Sequence, residues 1–451
     1  MSAYRFDPAL EAVTAPKERI VWLIFMGIVF FLLYGASNQF AAITAPHISL
    51  FMSWERDIPF IESFIVPYMS SDLMFVIAFL LPYTRLEIRI LAARVLFIVF
   101  FSIIIFALFP LQFGFEKPKV ESYNLLFTAL QADLPFNQLP SLHISFAIVL
   151  YASMKRHLKN SIVRLIALVW FSLIALSTLF VYQHHFIDLP TGAFMGLLAL
   201  FIIKKDQKSF FVSQFSTPRS LKMGLYFLTA ASVFMILSFT VEHGMAILFY
   251  LFISLFSVAL VYAFGLNNLL AGKDARASLL HWIIFFPYFL GSRLSWMYFK
   301  RKIDLMTKVK DNVYLGRLPS AKEYSKIKDN NIAHIINLAT EQQWQKPFQE
   351  EIRFPYLDQT IQAPHALHQG VLLIEANKEN GVYVHCALGL SRSVLLISAW
   401  LLYQKYTLAE IDTLMAKLRP AYVRSAYMDL TLKLYMGYLE DEHTQSFNKN
   451  T

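Results

Sequence analysis

The sequence predicts a multi-pass α-helical membrane bundle followed by an α/β domain with a central sheet flanked by helices. Three observations carry that expectation. Of the 451 residues, 57% are hydrophobic and only 16% charged, which is more apolar surface than one soluble core hides. Long apolar runs recur up to residue 264, and most meet the roughly 20 residues that a helix needs to cross a bilayer. Beyond residue 308 the stretch NVYLGRLPSAKEYSKIKDNNIAHIINLATE reads as strand, turn, helix and strand. The expected division is a membrane domain at 1–265, a connector at 266–307 and an α/β domain at 308–451.

In chain order, the first twenty residues are polar, and no small-residue cleavage pattern follows the apolar run after them. That run therefore reads as a membrane span rather than a cleaved signal. The apolar runs are 20–40, 65–83, 90–113, 141–154, 163–181, 189–203, 223–241 and 245–264. With eight crossings, 17 Lys/Arg, counting Arg94 and Arg164 just inside two of the runs, fall on the side of the N-terminus and 3 on the other. The positive-inside rule then puts the N-terminus and the loops holding Arg85, Lys155 and Lys204 in the cytoplasm. The net charge of +9 is no sign of nucleic-acid binding, because residues 1–300 carry 22 Lys/Arg against 15 Asp/Glu and hold most of the excess. One cysteine excludes an intramolecular disulfide.

Two polar motifs lie at the outer ends of these runs: PSLH at 140–143 and QHHFID at 183–188. Imidazoles and a carboxylate at the mouth of an apolar bundle are expensive in lipid and mark a functional site by default. His184 and Asp188 are four apart and share a helix face, so the carboxylate can orient the ring. One histidine can attack phosphorus while another protonates the leaving group. The pattern resembles the phosphatidic acid phosphatase type 2 superfamily, and HHFID resembles its inositol phosphotransferase branch. The resemblance implies His184 as nucleophile, Asp188 as its orienter and His143 as the acid. The superfamily's first motif, KxxxxxxRP, has no match before residue 300, and Thr178 stands where the third motif has Arg. Lys117 and Lys119, on the outer loop before PSLH, are candidates to replace that lost clamp; the alternative is a solvated interfacial loop.

The segment 277–302 is apolar over about a dozen residues and closes on Lys300, Arg301 and Lys302. That length suits an interfacial or re-entrant helix better than a span. If it does span, the α/β domain faces outside. The polar tail after Tyr438 is expected to fray.

In the α/β domain, YVHCALGLSRS at 383–393 puts the lone cysteine, Cys386, six residues before Arg392, between a buried strand pattern and an apolar helix pattern. The loop Ala387, Leu388, Gly389, Leu390 and Ser391 can turn its N–H groups inward, and the helix after it adds the positive end of its dipole. A phosphoryl group fits there, and a helix N-terminus with a guanidinium lowers a thiol pKa. The pattern HCxxGxxRS, complete in His385, Cys386, Gly389, Arg392 and Ser393, resembles the signature of the cysteine-based, dual-specificity-type phosphatases. That resemblance runs from about 310 to about 438. It implies that Cys386 attacks phosphorus, Arg392 clamps its oxygens and Ser393 helps the thiolate leave. The same family needs a loop carboxylate as general acid, and Asp358 in FPYLDQTIQAP suits that position. Uncharged Ala387, Leu388 and Leu390 favour a single phosphomonoester, unless Arg317, Arg424 or the stretch near Lys308 brings charge from outside the loop.

The whole chain resembles a bacterial family of fused membrane phosphatase and dual-specificity phosphatase proteins. The expectation is an inner-membrane lipid phosphatase or headgroup transferase with a second phosphatase domain, without metal or cofactor. Two alternatives stay open. A membrane-anchored protein phosphatase would need Cys386 but not His143 or His184, and an inactive scaffold would need neither.

Overall fold

The computed structural model describes residues 12–44, 48–131, 133–204, 216–241, 245–272, 276–344, 351–422 and 424–449. They form two compact units, Met1–Gln214 and Phe215–Thr451. The first is helical: α1 Pro16–Ile43, α2 Ile65–Leu80, α3 Arg85–Leu108, α4 Asn124–Leu130, α5 Leu142–Met154, α6 Ser161–Phe180 and α7 Asp188–Ile202. Local signals set the starts. Pro16 opens α1, where its missing N–H costs nothing, and Glu18 lies in the first turn. Thr84 and Glu87 form a reciprocal capping box at the start of α3. The far end of α7 is closed by Arg94 of α3, whose buried guanidinium donates twice to the Ile203 carbonyl, at 3.0 and 2.7 Å.

Among the described residues, six helices are long and apolar enough to cross a membrane: Pro16–Ile43, Glu62–Leu80, Arg85–Leu108, Ser161–Phe180, Pro218–Thr240 and Met245–Phe264. The helices that begin within PSLH and QHHFID are shorter than the eight-crossing reading needs, and His184 lies in the turn before α7, not on one helix face with Asp188, which opens that helix. α5 has 13 residues and α7 has 15, about 20–23 Å at 1.5 Å per residue against a hydrocarbon core of about 30 Å. They pack closely on each other. A Cβ on Gly192 would stand 2.5 Å from the Ser141 carbonyl oxygen, and one on Gly196 2.9 Å from that of Ser145.

The second unit begins with α8 Pro218–Thr240 and α9 Met245–Phe264, followed by α10 Asn267–Ala271 and α11 Leu279–Phe299. α8 and α9 touch along a glycine, since a Cβ on Gly224 would lie 2.9 Å from the Ala259 oxygen. The ambiguous connector, apart from 273–275, which lie outside the described residues, contains in α11 a continuous 21-residue helix with Pro287 inside it. α11 is tied to the α/β part of the unit: Trp296 Nε1 donates to the Leu318 carbonyl, and Gln342 Nε2 donates to the Ser292 carbonyl and hydroxyl.

That α/β part runs β1 Met306–Lys310, β2 Val313–Arg317, α12 Tyr324–Asp329, β3 His334–Asn337, β4 Glu351–Arg353, α13 Pro364–Asn377, β5 Val382–Cys386, α14 Arg392–Tyr403, α15 Leu408–Leu418 and α16 Ala426–Lys449. The sheet order is β1-β2-β5-β3-β4, with β1 antiparallel to β2 and the other pairs parallel. Register pairs Arg317 with Cys386 and Asn337 with His385. The carboxyl ends of β2, β3 and β5 therefore meet at one edge, where open α/β sheets place their sites. Continuous apolar character in β5 follows from burial on both faces, and all five of its residues are buried. Leu315, Ile336, Val384, Leu396 and Trp400 belong to one core. α16 extends beyond Tyr438, to Lys449. A helix whose early turns pack on α13 and α14 extends at little cost per residue.

Substituting Gly192→Val tests the α5–α7 contact. The added side chain must push the helices apart, and overpacking of this kind costs about 1–3 kcal/mol. A lowered melting temperature of the detergent-purified protein is expected; an unchanged one contradicts the close packing.

Candidate active site

β5 ends on Cys386, five loop residues follow, and α14 starts at Arg392. Gly389 makes that tight loop possible. Its φ is +73°, and a Cβ there would be 2.5 Å from the Gly316 backbone, so only glycine fits without strain. Gly389 N–H and the Ser393 hydroxyl each donate to Cys386 Sγ at 3.3 Å. Burial pushes the Cys386 thiol up, but the Arg392 charge and the hydroxyl and N–H of Ser393 outweigh it, and the net shift is below the ordinary thiol value. His385 is fully buried, and its Nδ1 lies 3.3 Å from the Cys386 carbonyl oxygen. Burial lowers its imidazole to about 4, so it stays neutral.

Arg392 is 3% exposed and is fixed on several sides. Nη1 and Nη2 donate to Glu341 at 2.7 and 2.6 Å, and Nη1 also reaches the Leu338 and Tyr356 carbonyls at 2.9 and 3.1 Å. Nε lies 3.2 Å from Asp358 Oδ1 but makes no hydrogen bond, which leaves that N–H for an incoming oxygen. Asp358 is 39% exposed. Desolvation raises its carboxyl above the ordinary value, with Glu341 adding to the rise and Arg392 opposing it. A raised carboxyl keeps its proton longer and can deliver it.

Cys386, Arg392, Asp358 and Glu341 line one cavity of about 500 Å³, together with Ala387, Leu388, Leu390 and Ser391. The loop assembly expected from sequence is thus brought together. Glu341 was not singled out from sequence. It lies four residues past β3, and a charged residue just past the carboxyl end of a central strand is the signal that could have found it. Arg419 was also missed. It is buried, donates to the Asp304 and Leu315 carbonyls, and its Nη2 would lie 2.8 Å from a Cβ on Gly389. Arg317 and Arg424 are engaged elsewhere. Arg317 forms a two-point pair with Glu323, and Arg424 pairs with Asp412 and Asp429. Neither they nor Lys308 line the cavity.

In the helical unit, His143, His184 and Asp188 also converge. His184 Nδ1 is 3.2 Å from Asp188 Oδ2, and the His143 and His184 rings are 6.0 Å apart. The two histidines line a cavity of about 350 Å³ with Tyr34, Asn38, Asp72 and Asp133. His185 is not in it: its Nδ1 is 3.1 Å from Glu55, and Gly114 N–H donates to its Nε2. Lys117 and Lys119 are exposed. Lys117 lies over the Phe113 ring at 6.0 Å, and neither lysine lines that cavity.

Comparison with known proteins agrees with the C-terminal geometry. Residues 313–435 match the family described as dual specificity phosphatase, catalytic domain. Among solved structures, PTPMT1 in complex with PI(5)P is 22% identical, covering 31% of this chain and 99% of its own, with a TM-score of 0.29. A leucine rich repeat and phosphatase domain containing protein from Entamoeba histolytica is 20% identical, with coverage of 31% and 94% and a TM-score of 0.27. Tk-PTP in the active form is 22% identical, with coverage of 29% and 96% and a TM-score of 0.27. No curated protein matches the chain.

The thiol environment is testable without a substrate. Cys386 is the chain's only thiol, so its iodoacetamide alkylation rate against pH reports its ionisation alone. The midpoint is expected below the roughly 8.5 of a free thiol, and Ser393→Ala should move it up. A midpoint at or above the free value contradicts the electrostatics described.

Proposed function

Because residues 313–435 form a dual-specificity phosphatase domain, we propose that the chain is a membrane enzyme removing phosphate from lipid phosphomonoesters through Cys386. The observation that carries this is the convergence of a depressed thiol, a buried guanidinium and a raised carboxyl on one cavity. The thiolate Sγ forms a bond to phosphorus as the bond from phosphorus to the lipid oxygen breaks, and Asp358 gives its proton to that oxygen. Water then attacks phosphorus and returns a proton to Asp358. The S–P bond breaks, releasing inorganic phosphate, and Cys386 leaves as a thiolate that accepts a hydrogen bond from the Ser393 hydroxyl. Arg392 and the loop N–H groups hold the phosphoryl oxygens throughout. Lipid is the preferred substrate because the described residues of the same chain include six helices of membrane-crossing length and composition.

The helical unit is read as a second phosphoryl-transfer site, either a phosphatase or a headgroup transferase. His184 is its nucleophile, Asp188 the orienter and His143 the acid. The 3.2 Å His184–Asp188 contact beside a cavity supports this. We place the protein in a bacterial inner membrane by the resemblance to the fused bacterial family; if α5 and α7 complete eight crossings, the basic-residue count of 17 against 3 puts the N-terminus in the cytoplasm, and the phosphatase domain with it when α11 does not span.

For full-length protein in detergent, Cys386→Ser is expected to abolish turnover of an aryl phosphate, and Asp358→Asn to lower it by about 100-fold or more. Wild-type kcat/KM should rise with pH as the thiol ionises and fall as pH passes through the raised Asp358 pKa. Asp358→Asn should lose the alkaline fall. Undiminished turnover by Cys386→Ser would sink the reading. In a Cys386→Ser background, any residual lipid-phosphate turnover should disappear with His184→Ala. Its persistence removes the second site.

A further inference from the structure

Resting on the Cys386 phosphatase reading, we infer that this site takes a lipid with one phosphomonoester joined directly to its apolar chains, which lie against α8, α9 and α11. A diacylglycerol 3-phosphate and a polyprenyl phosphate share that chemistry.

The cavity has two unlike ends. Cys386 and its loop form one, and Met223 and Phe227 of α8, Leu255 of α9 and Pro287 of α11 help to form the other. α8 and α9 are among the helices fit to cross a membrane. Phe227 lies nine residues from the start of α8, and Leu255 nine from the end of α9. At 1.5 Å per residue, Phe227 and Leu255 lie about 14 Å along their helices from those ends, nearly half the thickness of a hydrocarbon core. Met223, Phe227 and Leu255 are half-buried, so a chain can lie against them. A substrate whose phosphate reaches Sγ thus has its next atoms at an apolar surface.

That surface decides between lipids. Among the described residues lining the cavity, Arg392 is the only base, already paired with Glu341, while Glu341 and Asp358 are acids. A second phosphate between the reacting group and the acyl chains, as in phosphatidylglycerophosphate or a phosphoinositide, would be desolvated beside two carboxylates with no second cation among the described lining residues. The wall is also joined to the acid loop. The Tyr262 hydroxyl of α9 donates to the Asp358 carbonyl at 3.4 Å and lies 3.5 Å from the Tyr288 hydroxyl of α11. Arg219 of α8 donates to the Gln359 carbonyl at 3.2 Å. The helices that receive the chains therefore also hold the segment carrying the proton donor.

The test compares kcat/KM of the full-length protein in phosphatidylcholine mixed micelles, taking at each substrate the part lost in Cys386→Ser. Dioleoyl phosphatidate or undecaprenyl phosphate should exceed phosphatidylglycerophosphate and phosphatidylinositol 5-phosphate by at least about tenfold. The two favoured substrates distinguish the lipid sources. Dioleoyl phosphatidate should also exceed the dibutyryl form. Leu255→Trp, filling the wall, should lower dioleoyl turnover about tenfold more than aryl phosphate turnover. Leu280→Trp, at a site 62% exposed and outside the cavity, should change neither. Preference for a two-anion lipid, or no dependence on chain length, overturns the inference but leaves a Cys386 phosphatase. Lipid and aryl phosphate turnover that survives Cys386→Ser overturns the reading beneath it.

Discussion

Everything at the C-terminal site depends on how Arg392 is held. One buried guanidinium joins the segment after β3 through Glu341 and Leu338, the acid loop through Tyr356 and Asp358, and α14 through its own backbone. Removing one partner of such a pair costs about 3–5 kcal/mol, because it strands the other charge in the interior. Its worth here is in placement more than stability. Both Nη atoms are engaged and Nε is left without a hydrogen bond, and the same charge offsets the burial that raises the Cys386 thiol.

The chemistry-bearing loop was legible because its requirements are local. A strand end, a glycine that alone tolerates φ +73° beside Gly316, and a helix start all fall within eleven residues at 383–393. Asp358 was legible as a loop carboxylate. Glu341 was not, since nothing in NLATEQQW distinguishes a structural from a solvated glutamate until β3 and β5 are known to be parallel neighbours. Arg419 lies thirty-three residues beyond Cys386 and reaches the loop only through the packing of α15. Long-range placement of this kind has no periodicity to read.

In the helical part, hydropathy located the elements well, because burial in lipid and burial in protein both select apolar residues. It could not tell which partner each element has. α5 and α7 are too short to cross alone yet pack closely at Gly192 and Gly196, so their apolar character reflects neighbouring helices as much as lipid. α8 and α9 belong to the same compact unit as the sheet, although their composition alone reads as one more membrane hairpin. α11 looked interfacial from its dozen apolar residues, and its hydrogen bonds from Trp296 and to Ser292 show what its polar interruptions are for.

In the proposed reaction Cys386 accepts the phosphoryl group of a membrane lipid covalently. Rapid acid quenching of the full-length enzyme during turnover of dioleoyl phosphatidate, followed by peptide mass spectrometry, tests it most directly. The account predicts a phosphoryl group on the peptide containing Cys386, absent from Cys386→Ser. Turnover with no phosphate on that peptide would contradict it.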